Sequence, residues 1–245
     1  MRIFGFDIVR AKELDIQRAN EYRVLMRDIR KALTNMDNHT NIIRTSANNL
    51  NFDCDSVEQL KEIIETNGKY AECIGKGLTD NMDTLLTLCQ LMKALSDNAV
   101  VTPHVILAST KVMESVHIKN TNLMSAINEY GNSSMQLYAY TEMPDQMVQA
   151  GMIQMTMMGC AKSLTRVKAM SEILKHEVHK LHTAFIEENV WSAKSPHEIV
   201  KHMKEKQRKP LRKKLYSVSI YKEEGFPWEP KKTQENEKEG KESNG

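Results

Sequence analysis

The chain has 245 residues, 40% of them hydrophobic, 27% charged and only 6% aromatic, with a formal net charge of +2. Those proportions are ordinary for a soluble globular protein of one or two domains. No apolar run approaches the ~20 residues of a membrane span.

The near-neutral total hides an uneven distribution. Residues 1–50 carry +3, residues 51–100 carry −5, residues 101–190 carry −1 and residues 191–245 carry +5. Local charge, rather than net charge, is what points to a polyanionic partner. Cys54, Cys73, Cys89 and Cys160 form no Cys-x-x-Cys pair and fit no zinc spacing, so reduced thiols in an intracellular, cytoplasmic protein are expected. The opening, Met1 to Val9, is too short for a secretory core.

In chain order, Phe4, Phe6 and Ile8 alternate with other residues, the period of a strand, so residues 1–10 read as a short extended segment. From Ala11 to Asn67 there is neither Gly nor Pro. Apolar residues recur at Tyr22, Leu25, Ile29, Ala32, Met36, Ile43 and Leu50, mostly in steps of three and four. That spacing predicts a coiled-coil-like helix ending near Asn48 to Asp53. Ser56 and Gln59 form a capping box that opens a second helix, with Val57, Leu60, Ile64, Ala71 and Ile74 inward and Gly75 and Gly77 ending it.

A third helix is expected from Thr79 to Leu95, facing inward through Met82, Leu85, Cys89 and Met92. Thr102-Pro103 opens a fourth, which carries Ile106, Val112, Val116, Leu123 and Ile127 and weakens at Gly131, with a further short helix at 133–141. Pro144 starts a long helix to about Glu188 through Met155, Met158, Met170, Leu174, Leu181 and Phe185. Ser195-Pro196-His197-Glu198 combines an N-cap, a first-turn proline and a capping box, and starts a basic helix stopped by Pro210. Leu215 to Tyr221 alternates as a strand, which would pair with residues 2–8 as a ribbon joining the termini. The charged segment 223–245 reads as a disordered tail. The fold class is therefore all-α, with long antiparallel helices in a bundle or coiled-coil arrangement over residues 11–190. A basic helix and short strand at 195–222 follow, with a minor two-stranded ribbon as the exception.

Four features bear on function. Glu172, His176 and His179 share one helical face at one-turn spacing, which suits a Zn or Fe ion. The bland alternative is a solvated polar face, since Lys175, Glu177 and Lys180 sit there too. A di-iron bundle needs two Glu-x-x-His pairs, and only Glu114 with His117 is present. Met143, Met147, Met152, Met155, Met157, Met158 and Met170 crowd one helix. Methionine suits a surface that accepts varied apolar partners, although plain core or oligomer-interface packing is the readier explanation of the spacing. Lys201, Lys204, Lys206, Arg208, Lys209, Arg212, Lys213 and Lys214, offset only by Glu205, fit a nucleic-acid or anionic membrane surface, or a solvated helix end. Phe226, Pro227 and Trp228 in the polar tail read as a partner-docking motif or, equally, as a segment that folds back on the bundle.

Phosphate-loop, dinucleotide-binding and nucleophile-elbow motifs are missing, so no cofactor and no small-molecule substrate is expected. The Met-rich helical chain with its short hydrophobic start resembles membrane-remodelling ESCRT-III proteins in architecture. It departs from them in ending basic, where they begin basic and end acidic. The opening Met1-Arg2-Ile3-Phe4-Gly5-Phe6 before a charged helix resembles the starts of some tailed-phage structural proteins, which implies a virion component. The leading expectation is a non-enzymatic assembly or adaptor protein that forms homo-oligomers and binds a protein partner through the Met-rich helix or the tail. The alternatives are a polyanion binder using residues 201–214 and a metal-dependent helical-bundle enzyme.

Overall fold

Positions spaced alternately four and three residues apart carry the buried side chains of every long helix in the computed structural model, which describes residues 3–98 and 103–205. Helix α1 spans Ile3–Asn49, α2 Val57–Asp97, α3 Pro103–Thr141 and α4 Gln146–Ala184. In α1 the seam is Ala19, Tyr22, Met26, Ile29, Leu33, Met36, Thr40, Ile43 and Ala47, continued by Leu50 just past the helix. A repeat of seven keeps one stripe facing its neighbours along the whole helix, whereas the 3.6-residue turn of a straight helix would carry it away. The same steps run from Leu60 to Leu95 in α2, from Ser109 to Thr141 in α3, and from Ile153 in α4 to Phe185.

Three series of contacts set the helix directions. Between α1 and α2, Asn67 bonds Asn51, Asn81 bonds Thr40 and Asn98 bonds Glu21, so the numbers rise on one helix as they fall on the other. Between α3 and α4, Gln149 reaches Thr141, Arg166 pairs with Glu129 and Glu177 accepts from Ser115. Between α1 and α4, Arg44 pairs with Glu172, Lys175 reaches Asn41 and His182 meets the carbonyl of Leu33. All three pairs are antiparallel. Since α2 also packs on α3, the four helices close a ring around one core, an up-down-up-down bundle. The expected all-α bundle is the fold of residues 3–98 and 103–201.

At the α4 end the chain breaks at Phe185 and continues as α5, Ile186–Ser192. Tyr22 on α1 ties α5 down. Its buried hydroxyl donates to the Glu188 carboxylate at 2.6 Å, and burial, then that carboxylate, pushes the phenol well above its usual range. A last helix, α6, runs over 196–205 among the described residues. It opens as the sequence predicts: Glu198 N–H donates to Ser195 Oγ, and the Glu198 carboxylate accepts from Ser195 N–H. Ser56 likewise caps α2, accepting from Gln59 N–H.

Several boundaries differ from the sequence reading. Residues 3–10 are helical rather than extended, so the ribbon lacks its N-terminal strand; the strand expected at 215–221 lies outside the described residues, as does the tail at 223–245. Adding a residue to a standing helix needs only one more hydrogen bond, and the short alternation competes poorly with that. Gly75 and Gly77 do not end a helix: α2 runs through them, replacing the two helices expected at 56–74 and 79–95. A Cβ on Gly77 would lie 2.7 Å from Ile43 Cγ1, so this glycine permits close approach of α1 and α2. Likewise α3 runs unbroken through Gly131, absorbing the short helix expected at 133–141. Asp145, not Pro144, sets the start of α4, its carboxylate accepting from Met147 and Val148 N–H. Cys89, expected inward, is exposed, and Leu88 takes the buried place beside it.

Candidate interaction surface

The tip formed by the C-terminal third of α3 and the first half of α4 carries no charge on either helix. Residues 130–141 and 146–161 contain no Asp, Glu, Lys, Arg or His, in a chain that is 27% charged. The turn between them holds the charges instead: Glu142, paired with Lys61 of α2, and the capping Asp145. Gln149 also donates to the Thr141 carbonyl at 2.9 Å, which fixes the turn to the first coil of α4.

Inward, the tip is well packed. Leu137, Ile153 and Cys160 join Leu60 and Ile64 of α2, with Phe52, Val57, Tyr140 and Met157 at the margin. Phe52 leans on Tyr130, with ring centroids 6.0 Å apart. Burial pushes the Cys160 thiol up to about 11, which leaves it an inert core residue rather than a nucleophile.

Outward, α4 presents methionines. Met147, Met155 and Met158 are 88%, 74% and 73% exposed, and their spacing with Gly151 puts all four positions on one stripe. Of the two packings expected for Met155 and Met158, core or oligomer interface, the core is excluded by their exposure. The seam passes instead through Ile153, Met157 and Cys160, because the buried positions follow a strict repeat of seven that Met155 and Met158 miss. Val148 on α4 and Met135 on α3 are exposed as well. Nothing lies within 4 Å of where a Cβ would stand at Gly151 or Gly159, so an approaching backbone meets no obstacle there.

The other candidate residues lie elsewhere. Glu172 is paired with Arg44 at 3.6 Å, and His176 and His179 are exposed on the outside of α4. Among the described residues no group of three His, Cys, Asp or Glu stands close enough to hold a metal ion. Glu114 and His117 are exposed on α3. Lys201 and Lys204 are exposed on α6, while Lys206, Arg208, Lys209, Arg212, Lys213 and Lys214 lie outside the described residues, as do Phe226, Pro227 and Trp228. The sequence reading noticed the methionines but not the loss of charge around them. A window count of charged residues along the chain would have found both stretches.

No helix among the described residues is long and apolar enough to cross a membrane. The chain matches no protein-family model and no curated protein.

Proposed function

We propose that this is a non-enzymatic helical assembly protein, and that copies associate through the outer faces of residues 130–141 of α3 and 146–161 of α4, which carry no charged side chain. The observation that carries the reading is the exposed stripe of Met147, Met155 and Met158 on a helix segment, 146–161, that has no charged residue. A charged solvated face needs no partner, whereas apolar side chains clustered without charge gain from being covered. Full burial of a methionine is worth about 1.5–3 kcal/mol. Six methionines from two copies reach about 10 kcal/mol gross, comparable to the 4–15 kcal/mol that association costs. Gly151 in the stripe lets two helices approach closely, and thioether side chains adapt to each other's shape. Two identical uncharged faces are also compatible without any matching of charge, which favours a two-fold pairing of like with like.

The test is Met155→Lys/Met158→Lys, followed by light scattering. Both positions are exposed, so thermal stability should move by no more than about 0.5 kcal/mol. The assembled mass should fall to that of the next smaller species. A wild-type chain that stays monomeric at every concentration, or a double variant with unchanged mass, overturns the reading.

A further inference from the structure

The exposed side of α4 carries a coiled-coil repeat of its own, turned away from the core. Val148, Gly151, Met155, Met158 and Lys162 are all exposed and follow one another in steps of three and four, while Ile153, Cys160 and Leu164 line the buried side. Such a repeat is a seam that a second helix can enter. Its middle holds a small residue beside large ones. Nothing lies within 4 Å of where a Cβ would stand at Gly151, so the bundle itself gives this glycine no packing role, and glycine weakens a helix.

The nearest charges at the two ends of the seam are opposite in sign. Glu142 and Asp145 stand at its N-terminal end, Lys162 and Arg166 at its C-terminal end, with no charge from 146 to 161. Glu142 pairs with Lys61 and Arg166 with Glu129 inside the bundle. Lys162 makes no ion pair among the described residues, and Asp145 caps α4 through Oδ1 alone, which leaves Oδ2 for another partner.

We infer that α4 pairs with α4 of a second copy in antiparallel direction, about a two-fold axis level with Ile153. Met155 then faces the second copy's Gly151 and Val148 its Met158, each contact occurring twice. The thioether chain of Met155 lies over bare backbone, which brings the two helix axes close and covers both methionines. Lys162 comes level with the second copy's Asp145 to within one residue, about 1.5 Å of rise, so base meets acid at both ends. This pairing rests on assembly through the α3–α4 tip and adds its direction and its register.

Other arrangements lose one of these matches. A parallel pair sets Asp145 on Asp145, Lys162 on Lys162 and Gly151 on Gly151, like on like throughout. An antiparallel axis moved to between Met155 and Met158 sets those two methionines against each other and Gly151 against the second copy's Lys162. Moved to between Val148 and Gly151, the axis carries Met155 and Met158 past the start of the second copy's α4 at Gln146 and leaves them uncovered.

The experiment uses the full chain and two kinds of variant. Gly151→Leu enlarges the apolar stripe and has room in the bundle, so the thermal midpoint should hold or rise. Yet it fills the place of the second copy's Met155, so the dimer dissociation constant from light scattering should rise about tenfold or more. A stripe that associated merely by being apolar would bind more tightly. Val148→Cys and Met158→Cys test the register with a short bismaleimide, each in a Cys54→Ser/Cys73→Ser/Cys89→Ser background that removes the accessible native thiols. Mixed, they should cross-link to each other; alone, neither should cross-link to itself. Unchanged or tighter association of Gly151→Leu, self-linking of either cysteine variant, or no linking in the mixture overturns the pairing while the assembly reading stands. A wild-type chain that is monomeric at every concentration removes both.

Discussion

Two glycines two residues apart on α2 have opposite duties. Gly75 faces open space, so its missing side chain only weakens the helix; alanine there should stabilise the protein by up to about 1 kcal/mol. Gly77 lies against Ile43, and alanine there must displace a packed core side chain at a cost of about 1–3 kcal/mol, more than the helix gains. Denaturant unfolding of the two single variants should move the midpoint in opposite directions. A carboxylate offers a second residue-scale test. The ammonium of Lys180, and then the hydroxyl of Ser115, hold Glu177 below the usual carboxylate range. Its folded pKa is depressed, so the stability it contributes is present above that range and lost as pH falls through the folded value. Glu177→Gln should therefore lower stability near neutrality and flatten its decline between about pH 6 and pH 3. Thermal melts across that interval measure both effects.

At the scale of the helices, the seams are not purely apolar. Thr40 on α1, Asn81 on α2, Asn120 on α3 and Ser171 on α4 occupy core positions and are buried. Asn81 donates to Thr40 at 3.2 Å, and Asn120 donates to the Leu78 carbonyl at 2.9 Å. Leucine at every seam position would let one helix slide a heptad past its neighbour at little cost. A buried amide with a single suitable partner penalises such a slip. Thr40→Val alone strands the amide of Asn81 and should cost about 1–3 kcal/mol, whereas adding Asn81→Leu should recover most of that loss. The signature is non-additivity in a double-mutant cycle measured by chemical unfolding.

For the whole molecule, what matters is which outer faces stay uncovered once the ring of helices closes. The methionine stripe of α4 stands outside the core seam, on the surface of the bundle. Because these side chains lie outside the core, Met155→Lys/Met158→Lys should lower the assembled mass seen by light scattering while leaving the thermal midpoint nearly unchanged.

The sequence by itself determined that the chain is helical, where Ser56 and Ser195 start helices, and that α1 carries a long coiled-coil repeat. These follow from local rules: a hydroxyl satisfies the first free N–H groups, and a periodic apolar stripe needs a neighbour. Tertiary structure alone decided whether a glycine ends a helix, since Gly77 stays within α2 because Ile43 approaches it there. It also decided which of two overlapping apolar stripes on α4 faces inward. Met155 and Met158 are as apolar as Ile153 and Cys160, and only the neighbouring helices, by admitting one stripe, leave the other on the surface.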